Sequence, residues 1–105
     1  LYDGGVRLAV GCDAGIPFVP FGEAVHDELS YLAEAGLPPL DILTMATAGN
    51  ANLFGLEDQI GSIAAGKQAD LLVLGSDPLA DIKNTKDIRL VLMNGRVVHD
   101  SLLAK

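Results

Sequence analysis

One cysteine, Cys12, and two histidines stand among the 105 residues, and there is no tryptophan. A single thiol allows no internal disulfide, which fits a reducing, cytoplasmic setting. The histidines, His26 and His99, lie 73 positions apart, and no H-x-H, H-E-x-x-H or C-x-x-C spacing occurs. The sequence therefore carries no self-contained metal motif. Basic residues are scarce too: 7 Lys and Arg against 14 Asp and Glu give a net charge of −7. That balance argues against non-specific binding to nucleic acid or to anionic membranes. No apolar stretch approaches the roughly 20 residues that cross a bilayer. No basic segment followed by an apolar core marks a signal peptide. The first residue is Leu1, and Leu1-Tyr2-Asp3-Gly4-Gly5 reads as the end of something upstream.

What is present is apolar. Half of the residues are hydrophobic and 20% are charged. A chain of this length makes one small domain that buries ~65% of its unfolded surface. Either its core is dense or some of its apolar surface expects a partner.

Residues 6–12 are the most concentrated apolar run near the start. Five apolar residues in seven positions, Val6 to Cys12, lead into Asp13, which Gly11 and Gly15 bracket. A run this short suits a strand buried on both faces. Buried parallel strands place their chemistry at the carboxyl end, where Asp13 stands. The loop Ile16-Pro17-Phe18-Val19-Pro20-Phe21 follows. It either packs on the core or forms an apolar pocket wall beside Asp13.

Residues 23–35 read as a helix, with Val25, Leu29, Leu32 and Ala33 as one stripe. Glu23, Asp27 and Glu28 favour its N-terminal end, Gly36 suits a left-handed stop and Pro38 blocks continuation. A second helical stretch, 40–54, carries Leu40, Leu43 and Thr47 on one face. It is expected to run to about Ala48, break at Gly49-Asn50, and add one turn from Ala51 to Phe54. The period then changes. Ile60 to Ile63 is a short strand candidate, and 70–74 a buried one. Asp77 to Asp81 suggests a turn with one helical loop. Ile88–Met93 and Arg96–His99 flank Asn94-Gly95, the strongest short-range hairpin signal, a type I′ turn.

Four features of the sequence are candidates for chemistry. Gly61-Ser62-Ile63-Ala64-Ala65-Gly66-Lys67 fits G-x-x-x-x-G-K, but Gln68 stands where Ser or Thr is needed. A strand, not a helix, follows, so a β-turn carrying a lysine is the better reading. Cys12 has apolar neighbours and no identifiable base, which favours a buried structural thiol over a nucleophile. His26 follows the loop after Asp13 and is a candidate for lining a pocket there. Asp13 is either a catalytic or metal-binding carboxylate or a turn cap. A hydrolytic metal site needs three or more protein ligands, and the sequence visibly offers one.

Four segments, in order, resemble one family. Gly5 to Gly15 resembles the eighth barrel strand of the amidohydrolase superfamily of metal-dependent hydrolases. Ala46-Thr47 through Gly55-Leu56 is similar to its A-T-x-N-x-A-x-x-L-G-L helix. Ile60 to Leu74 resembles the segment where the chain leaves the barrel for a small β-sandwich. Val91 to Val98 resembles the closing hairpin. The resemblance is strongest to the imidazolonepropionase-like and Xaa-Pro dipeptidase (prolidase-type) branch. Three positions depart from the pattern: Cys12 replaces a usual Thr or Ser, Gly49 stands where Asn is common with Asn50 shifted by one, and Ala65 replaces a frequent Pro.

The resemblance implies an α/β fold: the last strand and helices of a TIM-type (β/α)8 barrel in 1–58, then a β-sandwich portion in 59–105. It implies a divalent metal, zinc first, one or two in number, with Asp13 as ligand and as general base for the metal-bound water. Phe18 and His26 become the substrate-binding candidates. The other metal ligands would all precede Leu1. The implied substrate is a small molecule with an amide-type bond: an amide, a dipeptide-like compound or a cyclic amidine. The chain alone is expected to be inactive and to associate, either with itself or with the N-terminal part. The rival expectation is a stand-alone, non-catalytic α/β module that self-associates.

Overall fold

The computed structural model describes residues 8–11 and 23–101. Helix α1, Glu23–Glu34, is followed by α2, Pro39–Thr44, a π-helical turn, Met45–Gly49, and α3, Asn50–Leu53. After a run of turns come strand β1, Leu71–Leu74, a 3-10 helix, Ile82–Lys86, and strands β2, Ile88–Met93, and β3, Arg96–Asp100. The strands form one antiparallel sheet in the order β1-β2-β3.

Helix α1 ends where Gly36 adopts φ 103°. The Leu37 N–H donates to Leu32 O and the Gly36 N–H to Ala33 O. This is a Schellman stop, and it satisfies carbonyls the helix would otherwise leave open. Of the expected stripe, Leu29 is buried and Leu32 and Ala33 pack beside it, but Val25 is exposed and Ala24 takes its place.

Residues 39–53 correct the expectation of a break at Gly49-Asn50. Thr44, Met45, Gly49 and Asn50 are all right-handed helical, so α2, the π turn and α3 are continuous. An added residue in one turn absorbs the glycine without ending the helix. The face also differs. Leu40 and Thr47 are exposed, whereas Ile42, Met45 and Ala51 are buried. Of the three residues expected together on one face, only Leu43 packs against the core.

The core joins Leu29 of α1, Ile42 of α2 and Ile82 of the 3-10 helix, with Val10 packed against them. Ile82 thus ties the later part of the chain to the helices.

No strand forms at 60–63. Gly61 has φ 95°, and Ile63 is 87% exposed. A Cβ on Gly61 would lie 2.5 Å from Ala51 Cβ and 3.0 Å from Thr47 O, so only glycine lets this turn lie against the helix. The expected buried strand at 70–74 is a strand from Leu71, but Leu72 and Val73 are exposed. Residues 8–11 of the expected first strand join no ladder, and the rest of that strand, together with residues 12–22, lies outside the described residues.

The hairpin forms as expected. Asn94 has φ 52° and Gly95 φ 78°, the pair of positive angles a type I′ turn requires. Asp70, just before β1, holds this turn: its carboxylate accepts the Asn94 N–H at 2.8 Å and a Gln68 Nε2 hydrogen at 2.8 Å. The acidic end of the Gly-Lys-Gln-Ala-Asp segment is therefore a latch between β1 and the hairpin.

Candidate functional site

Asp13, Phe18 and Cys12 lie outside the described residues. What the structure shows is how the chain leading to Asp13 is held. The Val10 side chain packs on the core. Its backbone makes two bonds to one side chain: the Val10 N–H donates to Asn50 Oδ1 at 3.1 Å, and Asn50 Nδ2 donates to Val10 O at 2.8 Å.

Asn50 is the first residue of α3, directly after the π turn. The Thr44 and Thr47 hydroxyls bond back to Leu40 O at 2.9 Å and Leu43 O at 2.6 Å, a pattern that bends helices. Sequence reasoning takes Asn50 for a helix breaker and so misses it. The signal is an amide displaced by one position within a helix motif of small residues.

His26 is half-buried on α1, with Nδ1 2.9 Å from the hydroxyl of Thr85, a buried residue of the 3-10 helix. Beside it, Lys86 Nζ and Asp27 Oδ1 form an exposed ion pair at 3.8 Å. Thr85 is not foreseeable as a partner of His26; no spacing rule connects residues so far apart in sequence. Among the described residues, no three His, Cys, Asp or Glu side chains group to hold a metal. The described part of the chain does not by itself fit a metal centre.

The G-x-x-x-x-G-K segment is closed on itself. Lys67 Nζ donates to Ser62 Oγ at 2.6 Å, and β1 follows rather than a helix. A phosphate cradle needs a helix N-terminus there. Among the described residues, no helix is long and apolar enough to cross a membrane.

Residues 1–98 match the model of the amidohydrolase family. The chain belongs to that family. An Xaa-Pro dipeptidase structure with methionine in its active site superposes on 95% of the chain with TM-score 0.84 and 33% identity. A proposed prolidase from Bifidobacterium longum covers 92% with TM-score 0.86 and 40% identity. The chain spans 24% of each of those structures. An adenine deaminase from Ruegeria sp. (strain TM1040) is 38% identical over 68% of this chain, which spans 11% of that enzyme. The amidohydrolase relatives thus include both deaminases and dipeptidases, which share hydrolysis of a carbon–nitrogen bond.

Proposed function

We propose that this chain is the C-terminal portion of a metal-dependent amidohydrolase that cleaves C–N bonds in a dipeptide-like substrate. One observation carries the choice. Two prolidase-type structures match 95% and 92% of the chain at 33% and 40% identity, whereas the deaminases that match as much of it, 92% and 93%, are 26% and 28% identical. In this reading residues 1–58 close a (β/α)8 barrel and 59–105 contribute to a β-sandwich. The enzyme is cytoplasmic, acts on a small molecule, and binds neither nucleic acid nor membrane.

In the reaction water adds to the carbonyl carbon and the nitrogen leaves with a proton. Asp13 is the carboxylate we assign to moving that proton, within the reach of general acid–base catalysis. A divalent metal, zinc first, would supply an acidified water when bound. Asp13 is the one ligand the family resemblance assigns to this chain, so the others belong to the remainder of the protein. Phe18 and His26 stay as substrate-binding candidates.

The test is turnover of alanyl-proline and of adenine by the full-length protein that carries this chain. We expect the dipeptide to be hydrolysed, with Asp13→Asn lowering kcat by about 10³-fold. Near-normal kcat in that variant refutes the role of Asp13, and turnover of adenine alone moves the substrate class to deamination. The isolated 105-residue chain should show no turnover.

A second reading, a non-catalytic module that self-associates, is favoured by the exposed Leu72, Val73, Met93, Val97 and Val98 of the sheet. It requires the isolated chain to sediment as a defined oligomer, and a monomer excludes it.

A further inference from the structure

We infer that Asn50 is a positioning residue whose amide fixes the backbone that leads into Asp13. The inference rests on the role assigned to Asp13 above. In a narrow antiparallel pair, two residues exchange both of their N–H···O bonds. Asn50 supplies the same two bonds from one side chain: its Oδ1 accepts the Val10 N–H and its Nδ2 donates to Val10 O. One bond would let the segment pivot. Two bonds fix both its position and its rotation, while the Val10 side chain is held by the core.

The arrangement depends on the π turn. An α-helix advances about 100° per residue, so the residue added within Met45–Gly49 turns the face that Asn50 presents. A Cβ on Gly49 would meet Thr44 O at 3.2 Å, and the Gly61 turn packs against Thr47, Ala48 and Ala51. The amide is therefore carried on a supported element, which is how a precise site is built. Val10 precedes Asp13 by three residues, at most ~10 Å of chain. A slip at Val10 has little chain in which to relax before the carboxylate, and a displacement of about 1 Å can cost 10²-fold in rate.

The test is a double-mutant cycle in the full-length protein carrying this chain, with alanyl-proline as the probe. We expect Asn50→Ala to lower kcat about 100-fold with KM changed less than about 3-fold, and amide exchange at Val10 and Gly11 to quicken. In an Asp13→Glu background, where the carboxylate is already displaced, Asn50→Ala should lower kcat less than about 3-fold. Equal losses in both backgrounds mean that Asn50 only stabilises the fold, and overturn the inference while leaving Asp13 in its role. An unchanged kcat in Asp13→Glu alone overturns both. Should Asn50→Ala not fold, Asn50→Asp serves the same cycle. It keeps the acceptor for the Val10 N–H and loses the donor to Val10 O.

Discussion

The helical region and the sheet solve different halves of the folding problem. Ala24, Leu29, Ile42, Met45 and Ala51 are buried along the helices, whereas no residue of β1, β2 or β3 is. Yet the sheet is paired through its backbone, from Leu71 opposite Leu92 to Met93 opposite Arg96, with one register shift in each pair, at Val73/Leu74 and at Val91/Leu92. Hydrogen bonding alone contributes modestly to stability, and apolar burial contributes more. The helices carry their own driving force. The sheet has its pairing settled but leaves Leu72, Val73, Met93, Val97 and Val98 in water. A three-stranded sheet with apolar side chains uncovered is a surface that expects more protein.

The contrast breaks most readily at Ile42 and Leu72. Ile42 has no exposed surface and Leu72 is 54% exposed. Ile42→Ala should cost about 3 kcal/mol, the loss of a buried side chain plus the cavity it leaves. Leu72→Ala should cost less than about 1 kcal/mol in the chain alone, because little water-free contact is lost. Urea unfolding of each variant measures both. Equal costs would erase the contrast between the regions. A Leu72→Ala cost that rises to about 2 kcal/mol in the full-length protein would show that the sheet is covered there.

Two glycines sharpen the same comparison at smaller size. Gly61, against the helices, combines φ 95° with contacts a Cβ cannot make. Gly95, in the hairpin, has φ 78° but open space around it. Gly61→Ala should therefore destabilise by about 2 kcal/mol, and Gly95→Ala by about 1 kcal/mol, for backbone strain only. Thermal unfolding of the pair separates packing from strain. Equal shifts would mean that the turn at Gly61 lifts off the helix cheaply.

The same division explains what the sequence could tell. The hairpin at Asn94-Gly95 and the stop at Gly36 were legible because glycine or asparagine at a positive φ is a local requirement. The family was legible because its motifs are strings of adjacent residues. The continuity of residues 39–53 was not, because a π turn accommodates a glycine that helix propensity alone treats as a break. The strand expected at 60–63 failed for a related reason: apolar Ile60 and Ile63 suggested pairing, but Gly61 is there to approach Ala51. The Asn50–Val10 pair joins positions 40 apart, and no periodicity encodes such a contact. At the candidate site, Asp13 stands out by its place after an apolar run. The amide that bonds Val10 within that run is visible only once the fold brings it there.

The smallest expected effect belongs to the connection between β1 and β2. Asp87 Oδ2 accepts the Ser76 hydroxyl at 2.6 Å, and Arg89 Nε lies 3.2 Å from Oδ1. The Ser76 hydrogen bond, followed by the Arg89 charge and hydrogen bond, holds the Asp87 carboxyl below its ordinary 3.8, with partial burial working against them. A carboxyl depressed on folding binds its proton more weakly in the folded state. Its contribution to stability is therefore complete above the ordinary value and is lost as pH falls through the folded one. The wild-type chain should thus exceed Asp87→Asn in urea midpoint at pH 6, and the gap should close below about pH 3.8. The group is partly exposed, so the gap should also narrow in high salt. Ile42→Ala, by contrast, should give the same loss at both salt concentrations, since no charge is involved. A salt-insensitive Asp87 gap would mean that the Ser76 hydrogen bond, not the Arg89 charge, holds the two ends of the connection together.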